Sequence, residues 1–245
     1  MKFKQVLAAC ALGSVAAISQ AKPIWQDFSI SALYGENYEL GTDERTTVTF
    51  EYAAKLKYGD VFFFNDHLWD DNHEQSNYFE FSPRLSLGAV TGHKLAFGPI
   101  QDVLIATTWE SNNQSGLNFD NILYGIGFDL AIPKFQYAQL NFYHAQNEGK
   151  ENDFQVTFVY GIPFTIGGEE FLADAFLDWT TAEQDSRSAH ASELNWTSQY
   201  KWNLGKHISP DTKLYVGIEH SLWHNKFGVK GANQSDVSAL VKYHF

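Results

Sequence analysis

Apolar and polar residues alternate with a period of two along most of this chain. At the C-terminus, Val237, Ala239, Val241, Tyr243 and Phe245 share one parity, and the other parity is polar except for Leu240. A period of two is typical of a β-strand with one apolar and one polar face. We find about twelve such runs and no helix-period segment of useful length beyond the N-terminal leader.

The alternating runs predict twelve strands at residues 24–34, 46–57, 59–68, 78–87, 99–110, 121–130, 135–146, 153–164, 169–181, 192–203, 212–224 and 235–245. The run at 59–68 is ambiguous because aromatic residues lie on both of its faces. Long connections such as SNNQSGLNF and DDNHEQS alternate with mostly short ones such as KYG and IPK. Long loops at one end and short turns at the other indicate an outer-membrane barrel, with both termini at the short-turn end.

The N-terminus has the layout of a secretory signal peptide. Two lysines in MKFKQ precede the apolar run 6–18, and the small residues of SQA precede a cleavage point after Ala21. This predicts a signal peptide at 1–21 and a β-barrel at 22–245. The alternative is a lipoprotein box, LAAC, ending at Cys10, which is the chain's single cysteine.

Composition narrows the function. The chain has 29 acidic and 17 basic residues, which argues against a nucleic-acid partner because phosphate binding requires clustered Lys and Arg. Removal of Cys10 with the leader would leave no disulfide and no cysteine-ligated metal. After the leader there is no apolar run of about 18 residues, so no transmembrane helix is predicted.

The composition of the two strand faces distinguishes a soluble barrel from a membrane barrel. One parity carries Asp, Glu, Lys and Arg in mid-strand, and a closed dry core could not satisfy so many charges. The other carries large aromatics near strand ends, as in the girdles of membrane barrels. The prediction is therefore an all-β fold, a 12-stranded antiparallel transmembrane β-barrel of the outer membrane of a Gram-negative cell. Its last strand must pair with its first to leave no open edge in lipid.

The polar parity is then the lumen wall. The predicted inward charged residues are Glu51, Lys55, Asp60, Glu80, Arg84, Asp102, Asp129, Asp153, Asp174, Asp178, Glu193, Lys201, Glu219 and Lys242. The predicted inward aromatics are Phe62, Phe64, Tyr78, Tyr143, Phe176, Tyr215 and Trp223. Aromatic rings beside carboxylates and amides suit a small neutral amphipathic solute. Nucleosides and sugars both fit that description.

Several motifs, in this order and at these distances, resemble the Tsx-type nucleoside channels of the outer membrane, a family that includes the OmpK proteins. FEYAAKLKYGDVFFFND is similar to the family's acidic second strand and its D-(F/L)-Y-G-Y-x-D third strand, with Phe62 and Phe64 in place of tyrosines. FEFSPRLSL is similar to an E-x-E-P-R segment, with Ser82 in place of the second acid. LAFGP, YGIGFDL, FLDW and the final KYHF also match, so the resemblance covers nearly the whole mature chain.

The resemblance implies a monomeric barrel with a narrow pore for nucleosides, and loops that can serve as a bacteriophage receptor. No cofactor is expected. The apolar parity predicts outer-membrane lipid as a partner, the acidic loops could bridge to lipopolysaccharide through divalent ions, and the lumen would take a small solute. The solute-binding prediction rests on matched motif positions and inward parity: Glu51, Asp60, Phe62, Phe64, Asp66, Glu80, Arg84, Asp129 and Asp178. Asp66 could instead begin an acidic loop.

Four alternatives stay open. The barrel could be a general or sugar-selective pore. It could be plugged by a loop, with DHLWDDNHEQS as the candidate, and act through its surface. It could be a phospholipase-like enzyme, with Ser198 and His220 on the outward parity of neighbouring strands. DHLWDDNHE could also bind a divalent cation, although a solvated acidic loop is the simpler interpretation.

Overall fold

A computed structural model describes residues 22–72, 74–114, 117–184 and 189–245, and the chain folds as a closed antiparallel β-barrel. The predicted signal peptide lies outside the described residues. Each barrel strand pairs with its neighbours in the sequence, and the last strand pairs with the first. In the described residues, no helix is both long enough and apolar enough to cross a membrane.

The strands occupy the predicted positions. They are β1 Trp25–Glu36, β2 Glu44–Leu56, β3 Gly59–Asp70, β4 Gln75–Ser86, β5 Ile100–Gln114, β6 Leu117–Leu130, β7 Tyr137–Gln146, β8 Asp153–Ile166, β9 Glu169–Thr180, a short hairpin of β10 Glu183–Gln184 and β11 Ala189–His190, then β12 Leu194–Asn203, β13 Lys213–His224 and β14 Gln234–His244. The short hairpin stands apart, so the barrel has the twelve strands that the sequence predicts. The fold-class prediction is confirmed.

The barrel is polar inside and apolar outside. In β14, buried and exposed residues alternate from Gln234 to Tyr243. The exposed parity carries Val237, Val241 and Tyr243, whereas Lys242 on the buried parity is only 5% exposed. A soluble barrel would show the reverse order. The apolar parity therefore faces lipid, and Leu240, the exception in the sequence pattern, points inward.

Cross-strand pairing extends the assignment of the inner face from β14 to the neighbouring strands. Lys242 lies opposite Ser31, Ser31 opposite Thr49, and Thr49 opposite Asp66. Directly opposed residues point to the same side of a sheet. The same reasoning places Phe62 and Phe64 inward on β3, which resolves the ambiguous run.

Closure takes place between β1 and β14, which pair from Ser29 with His244 to Gly35 with Ser238. Beyond β14, the Phe245 N–H donates to the carbonyl of Phe28 at 2.9 Å, and the two rings lie 5.4 Å apart. No strand edge is thus left open at the terminal end, the end of the barrel that holds Trp25 and His244. We call the opposite end the far end.

Loop lengths are predicted less well than strands. SNNQSGLNF is not a long loop, because β5 continues to Gln114 and β6 starts at Leu117. The loop predicted at DDNHEQS is shorter than expected, because β3 continues to Asp70 and β4 already starts at Gln75. A strand with polar residues on both faces has no alternation of apolar and polar positions in its sequence. Its backbone hydrogen bonds form all the same, so the strand is present but is not predicted.

The terminal end carries one long connection, residues 87–99. It contains a short helix, α1 (Leu87–Thr91), whose first turn is capped by Ser86 accepting from the Ala89 N–H at 3.0 Å. Gly92 ends the helix in the left-handed conformation, with φ of 71°. The Ser86 hydroxyl also donates to Asp102 at 2.5 Å, which ties this connection to the inner face of β5.

Candidate functional site

The lumen near the terminal end is crossed by a buried network around Arg84. Its guanidinium donates to both carboxylate oxygens of Asp60 on β3, at 2.7 and 2.8 Å, and to Asp129 on β6 at 2.7 Å. A further nitrogen lies 3.4 Å from the Asn141 side-chain oxygen on β7. Lys55 adds ion pairs to Asp60 and Asp129 at 3.2 and 3.6 Å. Arg84 is only 6% exposed, so its charge is almost fully enclosed by this network.

A glycine makes room for this network. Gly127 lies on the inner face of β6, and a Cβ atom there would come within 2.3 Å of the Asn141 side-chain oxygen. The Asn141 amide therefore lies directly over the glycine. Any larger residue at 127 would displace Asn141 from Arg84.

Two further buried lysines form ion pairs on the part of the barrel wall opposite the Arg84 network. Lys201 on β12 donates to Asp174 at 2.6 Å and is 1% exposed. Lys242 on β14 contacts Glu51 on β2 across the closing seam. These buried cations are thus neutralised by carboxylates on neighbouring or nearby strands.

Further toward the far end, the lumen holds carboxylates whose hydrogen-bond donors in the described residues are all neutral. Glu80 accepts from the Tyr78 hydroxyl at 2.6 Å, Glu110 from the Asn121 amide at 3.2 Å, and Asp178 from the Thr157 hydroxyl at 2.5 Å. Likewise Asp66 accepts from Thr49 at 2.6 Å, and Glu219 from Gln199 at 2.8 Å. No Lys, Arg or His of the described residues forms an ion pair with these five. We call Asp66, Glu80, Glu110, Asp178 and Glu219 the acidic belt.

Aromatic rings form a continuous track beside this belt. The Phe62 and Phe64 ring centroids are 5.9 Å apart, Phe64 and Tyr78 are 5.7 Å apart, and Tyr78 and Phe119 are 6.4 Å apart. The four residues lie on the inner faces of β3, β4 and β6. We call them the aromatic track. Phe62 is 39% exposed, so its ring is open to a solute.

The far end is partly covered by residues 37–43 and 225–233. The Tyr38 hydroxyl reaches the Ser238 hydroxyl inside the barrel at 3.1 Å, and the Glu39 N–H donates to Gln234 at 3.1 Å. The Lys226 ammonium contacts Gln234 and lies 5.3–5.6 Å from the ring centroids of Tyr38, Trp223 and Phe227. We call this arrangement the far-end clasp.

The clasp holds a buried cation. Lys226 is 3% exposed, and desolvation, followed by the nearby positive charge of Arg45, lowers its pKa from the usual 10.5 to about 8. This residue lies in the connection between β13 and β14, outside the membrane-spanning strands. DHLWDDNHEQS is the candidate segment for the alternative of a plugged barrel. Its described residues belong mostly to β3 and β4, and the segment that reaches inward is 37–43.

The predicted solute-binding residues fall into three groups. Asp60, Arg84 and Asp129 form the network near the terminal end, and Glu51 pairs with Lys242. Phe62 and Phe64 belong to the aromatic track. Glu80, Asp66 and Asp178 belong to the acidic belt, so Asp66 lies within β3 and does not start a loop.

Glu110, Asn121, Thr157 and Phe119 escaped the sequence prediction. Glu110 shares the parity of Asp102 on β5 and ends the predicted run 99–110, so its parity alone could have identified it. Phe119 fell in a segment predicted as a loop. Nothing in the sequence brings Thr157 to Asp178, because that contact depends on the register between β8 and β9.

The metal and enzyme alternatives gain little support. In the described part of the chain, no group of three or more His, Cys, Asp or Glu side chains is placed to hold a metal ion. Ser198 and His220 are direct cross-strand partners, but the His220 ring nitrogen lies 3.0 Å from the hydroxyl of Ser235. A serine nucleophile requires a base and a third group that orients it, and no orienting partner of His220 is present in the described residues.

Residues 25–245 match the family model of the nucleoside-specific channel-forming protein, Tsx. The chain is 27% identical over 193 residues to an outer membrane protein OmpK of Vibrio parahaemolyticus, covering 76% of this chain and 70% of that one. It is 31% identical over 234 residues to the outer membrane protein OmpK of Vibrio parahaemolyticus serotype O3:K6 (strain RIMD 2210633), covering 89% and 85%.

Among solved structures, the KdgM porin in complex with disordered oligogalacturonate superposes with a TM-score of 0.50 at 10% identity, covering 89% of this chain and 99% of that one. At this identity the likeness concerns the fold alone. The family match extends over nearly all of the described barrel, and the relatives are outer membrane proteins. The protein is therefore an outer-membrane channel that belongs to the Tsx family of nucleoside-specific channel-forming proteins.

Proposed function

We propose that this channel passes nucleosides by facilitated diffusion. The observation that carries the proposal is the aromatic track, which offers ring faces along the lumen next to the carboxylate of Glu80. A nucleobase stacks on an aromatic ring, and the ribose hydroxyls donate to carboxylates. Family membership favours the same class of solute.

The chemistry of the aromatic track predicts that the channel accepts different nucleobases. Phe62 and Phe64 have no hydroxyl, so they contribute stacking and no base-specific hydrogen bond. Tyr78 does have a hydroxyl, but it is used to donate to Glu80 at 2.6 Å. The track is therefore expected to stack any planar base without selecting one base over another.

The buried networks favour a small solute. Arg84, Lys201 and Lys242 extend into the lumen and are almost fully buried, so side chains fill the space that a wide pore would leave to water. A solute must release easily in order to pass. We expect binding in the millimolar range, which corresponds to roughly −4 kcal/mol.

Single-channel current of the refolded protein in a planar bilayer, titrated with adenosine, thymidine and glucose, tests the proposal. We expect both nucleosides to reduce the current saturably and glucose to have little effect. Replacing both track phenylalanines, Phe62→Ala with Phe64→Ala, should weaken the nucleoside effect at least tenfold, since stacking is worth about 1–3 kcal/mol per base.

Phe63→Ala is the matched control, because Phe63 lies on the same strand and faces outward, near Phe79. It removes the same ring without touching the lumen. Equal nucleoside effects in the Phe62/Phe64 variant and in the Phe63 variant would contradict the role of the track. Current indifferent to nucleosides would indicate a general or differently selective pore.

We also propose outer-membrane lipid and lipopolysaccharide as partners and, as the family resemblance implies, a bacteriophage at the far-end loops, with the channel as a monomer. One feature supports a receptor surface. The far-end connections are tied together, since the Gly228 N–H donates to Glu193 at 2.8 Å and the Asn225 amide donates to the Ser192 carbonyl at 2.9 Å. Phe227 and Val229 stay exposed on this cover.

A further inference from the structure

The acidic belt differs from the other charges of the lumen. Asp60, Asp129 and Asp174 form ion pairs with Arg84, Lys55 or Lys201. The belt carboxylates receive hydrogen bonds from hydroxyls, amides or a phenol, and from no cation of the described residues. A polar wall needs no such separation to stay wet, so carboxylates without a cationic partner call for an explanation.

The belt contains like charges in direct opposition. Glu80 and Glu110 are cross-strand partners on the inner faces of β4 and β5. Asp178, on β9, is close enough to interact electrostatically with both. Like charges directly opposite each other destabilise a sheet, and a positively charged ligand would remove that cost.

The wall also orients these carboxylates. In three belt residues one oxygen accepts the wall donor: Oε1 of Glu80, Oε2 of Glu110 and Oδ1 of Asp178. The second oxygen of each has no partner among the described residues and is not enclosed by protein. A hydrogen-bond acceptor is thereby left for a solute in the lumen.

A buried hydroxyl next to the belt supports a ligand independently. Thr180 lies two residues beyond Asp178 on the same face of β9, opposite Gln155, which itself donates to Asp178 at 3.3 Å. Thr180 is 6% exposed, and its hydroxyl has no hydrogen-bond partner in the part of the chain that the structure describes. Buried polar atoms are rarely left without a partner, so hydrogen-bonding capacity is unused at this point of the wall.

The chemistry selects an organic cation. In the described residues, no group of acids and histidines is arranged to hold a metal ion. An ammonium group supplies several N–H donors for carboxylate oxygens placed on different strands. The neighbouring rings of Phe64 and Tyr78 suit methylene groups and also attract cations.

We propose that the acidic belt binds the ammonium groups of linear polyamine-type solutes and makes the pore cation-selective. The belt thus gives the channel a second solute class beside neutral nucleosides. This inference rests on the channel itself, which the family establishes, and not on nucleoside selectivity.

The test uses spermidine as the probe in the same planar-bilayer recording. We expect spermidine, added on the side of the far end, to block the potassium current of the unmodified channel, and the reversal potential in a KCl gradient to indicate preference for K⁺ over Cl⁻. Glu80→Gln with Glu110→Gln should raise the half-blocking concentration at least about tenfold, since it removes two carboxylate charges that attract the ammonium groups.

Glu44→Gln is the matched control, because Glu44 lies on the outward face at the far end, where it accepts from the Tyr34 hydroxyl. It removes the same charge outside the lumen and should leave the block unchanged. Equal spermidine block in the control and in the Glu80/Glu110 variant would overturn the proposal, as would anion selectivity of the unmodified channel. If the double variant does not refold, Asp178→Asn alone must weaken the block.

The outcome is separable from that of the nucleoside experiment. Spermidine block without any effect of adenosine would support the acidic belt and contradict nucleoside transport. A nucleoside effect without spermidine block would support nucleoside transport and contradict the acidic-belt proposal.

Discussion

At the scale of the residue, Lys226 shows how burial changes a side chain that the sequence presents as an ordinary loop lysine. Its ammonium lies among three aromatic rings and beside Gln234, and its pKa falls to about 8. The cation–π contacts favour the charged form, whereas desolvation, the largest cause, disfavours it. The lowered pKa shows that desolvation dominates.

This residue predicts a pH dependence of stability. Between about pH 8 and the usual value of 10.5, the unfolded chain keeps the Lys226 proton that the folded chain has released, so stability rises with pH in this window. Relative to Lys226→Met, the free energy of unfolding should therefore increase by up to about 3 kcal/mol from about pH 7 to pH 11. Urea unfolding in detergent micelles would measure it.

Lys230→Met is the control, because Lys230 lies in the same connection and is exposed to solvent. We expect this variant to keep the pH dependence of the unmodified protein. A stability difference between the protein and Lys226→Met that stays flat or falls as pH rises would show that the clasp does not bury the charge.

At the scale of the element, the parity of each strand decides what a position tolerates. Ile218 lies in the middle of β13, is 43% exposed and belongs to the outward face. Ser221 lies on the inward face of the same strand, where it accepts hydrogen bonds from Thr197 and Trp223. The two positions differ by the medium they meet, lipid in one case and a wet polar wall in the other.

We expect Ile218→Arg to lower the free energy of unfolding in lipid vesicles by about 2–4 kcal/mol, the cost of a cation on the lipid face near the midplane. Ser221→Arg on the inward face should cost less than half of that. Urea titration monitored by tryptophan fluorescence would compare the two. A larger loss for Ser221→Arg would mean that the assignment of the faces is reversed.

At the scale of the whole molecule, the Arg84 network connects several strands of the barrel from within. Arg84 connects β4 with β3, β6 and β7, so a single guanidinium braces about a third of the barrel wall from within. Only the planar fork of arginine can hold Asp60 by two hydrogen bonds while it also reaches Asp129. Four of its five N–H donors are engaged by side chains of the wall, so we propose that Arg84 acts as a brace within the predicted solute-binding set.

Arg84→Ala should raise single-channel conductance, because it removes a side chain that extends into the lumen. It should also lower the free energy of unfolding by about 3–5 kcal/mol, because Asp60 and Asp129 lose their buried partner. Arg84→Lys keeps the charge without the fork and should give intermediate values of both. Unchanged conductance in Arg84→Ala would place the narrowest part of the pore elsewhere, for instance at Lys201 or Lys242.

Sequence reasoning reached the fold because the signal is repeated in every strand. Alternation in each run separates the inner from the outer face, and the charges in mid-strand exclude a dry interior, so strand number, closure and the inward position of residues such as Glu80 and Lys201 follow from local pattern. The ends of the β5–β6 hairpin were missed where polar residues on both faces erase that pattern, as at Asn112 and Asn113.

The contacts of the candidate site could be predicted only in part. Motif positions identified Asp60 and Arg84, yet the sequence does not show that they bind each other and leave Glu80 and Glu110 without a cation.

By itself, the sequence determined the fold class, the inner and outer faces of the strands and the family, because each of these rests on residues close together in the chain. Only the tertiary structure decided which charges neutralise each other. Lys242 and Glu51 meet across the closing seam from opposite ends of the chain, and Arg84 meets Asp129 two strands away. Such contacts depend on strand register and on the curvature of the closed sheet, and these are properties of the whole barrel.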